Sequence, residues 1–177
     1  MSAADPTVER IARDPRLFSF LSVCAGDLDV VLGDARLRLR RAAARGYGLI
    51  VADAFSSDAI PVHRITREAL ALYRSKLAEH GIIAFNVSNS YLDLEPVLGT
   101  SPTTRGWPAS FRRTPGARRT GIPTRRARAG WVAVARHARD LRAVAPDPRW
   151  RDCRGSPGSA PWTDDYSNLL GALDLNR

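Results

Sequence analysis

The sequence predicts an α/β protein built on a parallel sheet. Three short apolar segments rich in β-branched residues, 28–32, 49–52 and 82–87, have the composition of buried strands. Stretches with helical periodicity separate them, and each is long enough to return the chain to the same edge of the sheet. Strands that alternate with helices in this way form right-handed βαβ units, which is the basis of the prediction.

The first two helices are predicted from apolar spacing and stop signals. Residues 8–21 carry apolar side chains at roughly helical spacing, and the Asp-Pro pair that begins at Asp14 should break that helix. Leu, Ala and Arg alternate over 36–45, a composition with good helix propensity. Gly46 should end this second helix.

Later elements follow from the same signals. Thr66 is a preferred residue type for capping a helix that runs to Gly81, with an apolar face between them. A short helix is predicted over 92–98 and a fourth strand over 131–135. A Thr or Asp near the start of 163–170 should cap a last helix through that range.

Length and composition favour one globular domain. The chain has 177 residues, of which 44% are hydrophobic. No apolar run approaches the ~18 residues that cross a bilayer, and the N-terminus lacks the basic start and apolar stretch of a signal peptide. We therefore expect a soluble, cytoplasmic protein with no membrane segment in this chain. Cys24 and Cys153 lack the spacing of a metal site or a disulfide framework.

The net charge of +9 is concentrated in one segment. Eight arginines and no Asp or Glu lie between Gly99 and Gly130, and the other Lys and Arg nearly balance the acidic residues. A basic protein invites a nucleic-acid partner, but charge confined to one segment does not describe the fold as a whole. Nucleic acid is therefore not favoured as a partner.

Segment 99–130 is predicted to be irregular. It mixes Arg, Thr, Pro and Gly without periodicity, and such a composition buries too little apolar surface to offset its chain entropy. It is a mobile loop or linker, a phosphate-binding arm, or the out-of-frame translation of a GC-rich gene. We favour the last, which reading the two alternative frames of the DNA would test.

Carboxylates follow two successive predicted strands. Asp34 ends the first, Asp53 ends the second with Asp58 in the same loop, and the third ends in the polar run 86–89. Ligands bind at the carboxyl edge of such sheets, and several acids there create a negative field suited to a cation such as a polyamine. The alternative for each strand-end Asp is a cap on the following helix.

The chain resembles bacterial spermidine-synthase-like aminopropyltransferases. The most distinctive match, DAFSSDAIPVH, lies within 47–63, and the others are 33–36, 88–96 and 162–168. The resemblance implies a Rossmann-like, class I methyltransferase-type parallel sheet. It also implies N-terminal truncation. The cofactor-binding motif of the family is a glycine-rich turn after a strand, and no such turn follows a predicted strand here.

The resemblance further implies transfer of an aminopropyl group from decarboxylated S-adenosylmethionine, as co-substrate, to a polyamine such as putrescine. Neither a metal nor a permanently bound cofactor is implied. Asp53 matches the catalytic acid that holds and deprotonates the attacking amine, and Asp58 matches an acid that grips the diamine. Asp34 matches the acid that binds the adenine amino group, with Ala35 beside it in the cofactor site.

Two other functions remain open. The scaffold is shared with S-adenosylmethionine-dependent methyltransferases, and fold does not fix function. A non-catalytic remnant or interaction module is the other, since a chain lacking the first cofactor-binding elements is expected to be impaired on its own. The predicted organisation is a partial Rossmann-like core over 1–98, the irregular segment 99–130, and the last strand and helices of the same domain over 131–177. Assembly into a homo-oligomer is left open.

Overall fold

The chain folds into two compact units, Met1–Ala43 and Ala44–Arg177. The computed structural model describes residues 2–3, 5–24, 26–53, 62–89, 92–101, 106–114, 129–144, 146–156 and 158–173. The predicted organisation into segments 1–98, 99–130 and 131–177 was based on composition, and it stays a prediction.

The first unit has two short strands and two helices. In chain order they are β1 (Ser2–Ala3), α1 (Pro6–Arg13), β2 (Val31–Leu32) and α2 (Ala35–Arg41), with β1 and β2 parallel. Helix α1 ends before Asp14, where the break was predicted. The predicted strand 28–32 is shorter than expected, and α2 ends at Arg41 rather than Arg45.

Packing in this first unit is shallow. None of the residues described in 5–24 and 26–43 is buried. Large apolar side chains such as Leu17 and Val23 are exposed by 61% and 73%. The first unit therefore contributes no buried core of its own within the described residues.

The second unit is built on a five-stranded sheet in the order β3-β4-β6-β5-β7. Its strands are β3 (Tyr47–Ala52), β4 (Leu77–Asn86), β5 (Ala109–Thr114), β6 (Ala129–Ala135) and β7 (Trp150–Asp152). Strands β3 and β4 are parallel, whereas the β4–β6, β6–β5 and β5–β7 pairs are antiparallel. The α/β fold class is confirmed, and the sheet is mixed rather than parallel throughout.

Two α-helices and three short 3₁₀ turns accompany this sheet. They are the 3₁₀ turn Val62–Arg64, α3 (Arg67–Lys76), α4 (Glu95–Thr100) and the 3₁₀ turns Ala138–Ala143 and Leu170–Ala172. Thr66 caps α3 as predicted. The predicted last helix is reduced to the 3₁₀ turn, and Thr163 or Asp164 does not cap it.

Gly81 lies inside β4 and does not end α3, so that prediction is wrong. The chain passes from Lys76 directly into β4, because Leu77 already pairs with Tyr47 across a register shift. A Cβ at Gly81 would lie 2.7 Å from the Leu77 side chain and 2.9 Å from the Tyr47 carbonyl oxygen. Glycine permits this close approach at the irregularity.

The core of the second unit lies between the sheet and its helices. Tyr73 of α3 packs on Phe85 of β4 with ring centroids 5.9 Å apart. The central strands, α3 and α4 contribute further buried apolar residues: Leu70, Ile83, Leu98, Val132 and Val134.

Part of the arginine-rich segment is a strand. Residues 109–114 form β5, which pairs in register with β6 on one side and β7 on the other. Phe111 is buried in this strand. The composition of the segment, which lacks apolar periodicity, did not predict this burial. Segment 99–130 is therefore not irregular throughout. Residues 102–105 and 115–128 lie outside the described residues.

An ion pair between a buried carboxylate and a partly exposed arginine joins the first residue of α4 to β7. The Glu95 side chain is 4% exposed, and Arg151 donates to both of its carboxylate oxygens at 2.6 Å. The Arg154 amide donates to the same carboxylate at 2.8 Å, and the Arg151 guanidinium stacks on the Phe111 ring.

Burial first, and then the Glu95 charge, raise the pKa of Cys153 to about 12, so its thiol stays protonated at neutral pH.

Strand β3 forms one edge of the sheet. Among the described residues it pairs with β4 alone. Its alternate residues Tyr47, Leu49 and Val51 are exposed by 39%, 58% and 52%. No helix in the described part of the chain is long and apolar enough to span a membrane.

Replacing Arg151 by Ala should lower the free energy of unfolding by about 3 kcal/mol, because the buried Glu95 carboxylate loses its charged partner. Urea denaturation followed by circular dichroism measures the change. The control Arg149→Ala removes an exposed partner of Asp147 and should cost less than about 1 kcal/mol. Equal losses from the two variants would contradict a special role for the buried pair.

Candidate functional site

The parallel strands β3 and β4 place two polar side chains next to each other at their carboxyl ends. Ala52 pairs with Phe85 in the register, so Asp53 and Asn86 follow side by side. The Asn86 amide nitrogen donates to an Asp53 carboxylate oxygen at 2.6 Å. Asp53 is exposed, and no Lys or Arg of the described residues forms a salt bridge with it. Its negative charge therefore faces solvent while its orientation is fixed.

A short network fixes the orientation of Asn86. Its side-chain oxygen accepts hydrogen bonds from the Ser88 amide at 2.9 Å and from the Ser88 hydroxyl at 2.5 Å. The Ser88 hydroxyl oxygen in turn accepts from the Gly130 amide at 3.0 Å. Because the amide oxygen is already an acceptor, the amide NH₂ group is directed to Asp53. Strand β6 thus supports the Asp53 position through Ser88 and Asn86.

The first turn of α3 lies at the same edge of the sheet. Helix α3 connects two parallel strands, so it runs antiparallel to them and begins where β3 ends. The Thr66 hydroxyl accepts from the Ala69 amide at 3.3 Å and caps the helix. Residues 54–61, between Asp53 and this turn, lie outside the described residues, and the predicted site residue Asp58 is among them.

Residues 162–166 bind this first turn, and we call them the C-terminal clasp. The Thr66 hydroxyl donates to an Asp164 carboxylate oxygen at 2.7 Å. The Arg67 amide donates to the Trp162 carbonyl at 2.8 Å, and the Asp164 amide donates to the Glu68 carboxylate at 3.0 Å. The motif that sequence analysis interpreted as a local helix cap therefore contacts a different helix.

The Glu68 carboxylate is held in its charged form. Burial alone would raise the pKa of Glu68. Hydrogen bonds from its own backbone amide, the Arg67 side chain and the Asp164 amide outweigh burial and lower the pKa. The contact between the clasp and α3 therefore involves two carboxylates, Asp164 and Glu68, and each accepts a hydrogen bond.

Asp34 lies in the first unit and caps α2. Its carboxylate accepts from the Leu37 amide at 2.8 Å, and Ala35 is the first residue of the helix. Gly33 before it has a φ of +114°, a backbone region that favours glycine. Helix capping, the alternative weighed for strand-end acids, is thus present at Asp34. Its implied contact with adenine stays a prediction.

Sequence reasoning named Asp53 but not the residues that support it. Asn86 and Ser88 were noted only as a polar strand end, although amide and hydroxyl side chains after a strand that neighbours Asp53 were a usable signal. Asp164 carries no comparable signal, because its partner Thr66 is 98 residues away in the chain.

Comparison with known proteins finds a relative among the polyamine aminopropyltransferases. The chain is 37% identical over 84 residues to a polyamine aminopropyltransferase of Vibrio vulnificus, a match that covers 46% of this chain and 27% of that protein. No protein-family model matches the chain.

Solved structures show the same fold. A probable spermidine synthase from Corynebacterium glutamicum matches with a TM-score of 0.60 and 15% identity, over 95% of this chain and 64% of that one. A spermidine synthase in complex with the transition-state analogue AdoDATO matches with a TM-score of 0.57 and 11% identity, over 98% of this chain and 55% of that one. The chain thus has a spermidine-synthase-like fold. It spans 27% of the curated relative and less than two thirds of each of these two structures.

Replacing Ser88 by Ala should weaken the support of Asp53. The Gly130 amide loses its acceptor and Asn86 loses the hydroxyl donor, which should cost about 1–2 kcal/mol of stability. Hydrogen exchange should become faster at the Gly130 amide, as measured by NMR. In the control Ser75→Ala, a surface hydroxyl bonded to the Leu72 carbonyl is removed, and Gly130 should exchange as in the wild type. Unchanged Gly130 exchange in Ser88→Ala would show that the network is not formed.

Proposed function

We propose that this spermidine-synthase-like protein transfers an aminopropyl group from decarboxylated S-adenosylmethionine to an amine such as putrescine. Similarity to a polyamine aminopropyltransferase in sequence and to spermidine synthases in fold supports the reaction class. The observation that carries the proposal is the exposed Asp53 carboxylate, oriented by Asn86 and without a salt bridge to a described Lys or Arg. Such a group can receive a cationic amine.

Asp53 would first bind the amine as an ammonium ion and then accept its proton. The freed nitrogen lone pair attacks the propyl carbon attached to the sulfonium sulfur. A new C–N bond forms while the C–S bond breaks, and its electron pair remains on sulfur. The products are the extended polyamine and methylthioadenosine, and the proton leaves through Asp53 to solvent.

The Asn86 hydrogen bond has a specific part in this chemistry. It is made by a neutral donor, so it orients the Asp53 carboxylate without neutralising its charge. An arginine or lysine in the same place would compete with the ammonium ion. The arrangement therefore keeps Asp53 in position and available to a cation.

The remaining site assignments are also proposals. Asp58, in the loop after Asp53, would bind the far end of the diamine, since a second acid suits a second ammonium group. Asp34 and Ala35 would contact the adenine of the co-substrate. The capping bond to Leu37 holds the Asp34 carboxylate at the start of α2.

Asp53→Asn should lower kcat/KM for putrescine by about 10²- to 10⁴-fold, the range expected when a positioned general base is lost. Mass spectrometry of spermidine and methylthioadenosine formed by the full chain measures the effect. Calorimetry should also show that putrescine binding weakens while methylthioadenosine binding is retained. The matched control is Asp152→Asn, an exposed acid on β7, which should behave as the wild type.

Folded wild-type protein that gives no heat with putrescine or with methylthioadenosine would overturn the proposal. Methyl transfer without aminopropyl transfer would instead select a methyltransferase on the same scaffold. Equal losses in Asp53→Asn and Asp152→Asn would remove Asp53 from the reaction.

A further inference from the structure

The C-terminal clasp makes a part-buried, long-range connection to the first turn of α3. Thr66 is 0% exposed, so solvent cannot replace the partner of its hydroxyl group. That hydroxyl donates to the Asp164 carboxylate at 2.7 Å and also accepts from the Ala69 amide. A hydroxyl bonded to a carboxylate makes a charge-assisted bond, stronger than one between neutral groups. The Asp164–Thr66 contact is therefore the strongest single link in the clasp.

A backbone hydrogen bond also fixes the clasp against the start of α3. The Trp162 carbonyl accepts from the Arg67 amide, one of the first-turn amides that have no partner inside the helix. Trp162 itself is 4% exposed. Within the clasp, the Thr163 amide donates to the Tyr166 carbonyl at 2.8 Å, closing a turn that presents Asp164 to Thr66. The contact thus depends on side chains and backbone together.

The described residues on either side of segment 54–61 are fixed by different parts of the chain. Before it, Asp53 is held by Asn86. After it, the Ile65 amide donates to the Val62 carbonyl at 3.0 Å, and the next residue is Thr66. Asp53 and Thr66 both lie at the carboxyl edge of the β3–β4 pair, because α3 must return along the parallel strands. A displacement of Thr66 would therefore move the start of α3 relative to Asp53.

We propose that Asp164 is a positioning residue for the amine-binding site, acting through Thr66 to fix the start of α3 at the edge of the sheet where Asp53 lies. This inference rests on the proposed function. It gives the acidic C-terminal motif a role in amine affinity, in place of a local role as a helix cap. Asp164 touches Thr66 and Glu68 in the structure, so it acts through them and not on the reacting atoms.

The test compares four variants of the full chain. Asp164→Ala removes the acceptor, whereas Asp164→Asn keeps an oxygen that can accept the Thr66 hydroxyl. Asp165→Ala is the matched control, since it makes the same truncation one residue away at an exposed position. Thr66→Val removes the donor from the other side of the same contact. Initial rates of spermidine formation give KM for putrescine and for decarboxylated S-adenosylmethionine separately.

We expect KM for putrescine to rise about tenfold in Asp164→Ala and in Thr66→Val, in line with the loss of one hydrogen bond to a charged group. KM for decarboxylated S-adenosylmethionine and kcat should change less than about twofold on the same scale. Asp164→Asn should recover most of the affinity. Hydrogen exchange at the Ala69 amide should become faster in Asp164→Ala and stay unchanged in Asp165→Ala.

Other outcomes overturn the inference in distinguishable ways. If the wild type forms spermidine and Asp164→Ala has the same KM for putrescine as Asp165→Ala, the positioning role is wrong and the proposed function stands. If both KM values and kcat worsen together in Asp164→Ala, the contact only supports the fold. If the folded wild type forms no spermidine, the proposed function fails, and the amine role of Asp164 fails with it.

Discussion

The candidate site depends on one constraint, the parallel pairing of β3 and β4. Parallel neighbours require a crossover, and α3 provides it by running back along the sheet. The carboxyl ends of β3 and β4 must then lie at the same edge of the sheet as the start of α3. Residues bound to the start of α3 lie at this edge too. The Asp53–Asn86 pair and the Thr66–Asp164 pair lie at the same edge for this reason, although their members are far apart in the sequence.

Antiparallel strands complete the second unit and support that edge from the other side. Strand β6 supplies the Gly130 amide to Ser88, and β7 is tied to α4 by Glu95 and Arg151. The buried carboxylate accepts two charge-assisted bonds from one guanidinium as well as a backbone amide, so its desolvation is largely compensated. The arginine-rich segment thus contains an ordered strand, β5, which lies between β6 and β7.

Sequence reasoning predicted the class, the βαβ unit and the strand that leads to Asp53, because each has a local apolar pattern and a local stop. It failed at Gly81, because a glycine in the sequence does not by itself distinguish an irregularity in a strand from the end of a helix. It missed β5 because a strand held between two neighbours needs little apolar patterning of its own. It did not predict the Asp164–Thr66 contact, because a bond between distant residues has no periodicity. Asp34 could be assigned both a capping and a ligand role, and the described structure shows the capping bond.

The exposed edge of β3 has a practical consequence for this protein in solution. The six residues Tyr47–Ala52 contain no proline, lysine or other charge, the devices with which natural sheets discourage unwanted strand addition. In the described part of the chain only one side of β3 is paired, and an edge strand can template further strands from neighbouring molecules. Uncharged, β-prone hexapeptides of this kind are typical seeds of fibrils. At high concentration we expect this strand to favour association, and one charged side chain in place of exposed Leu49 should act as a gatekeeper against aggregation.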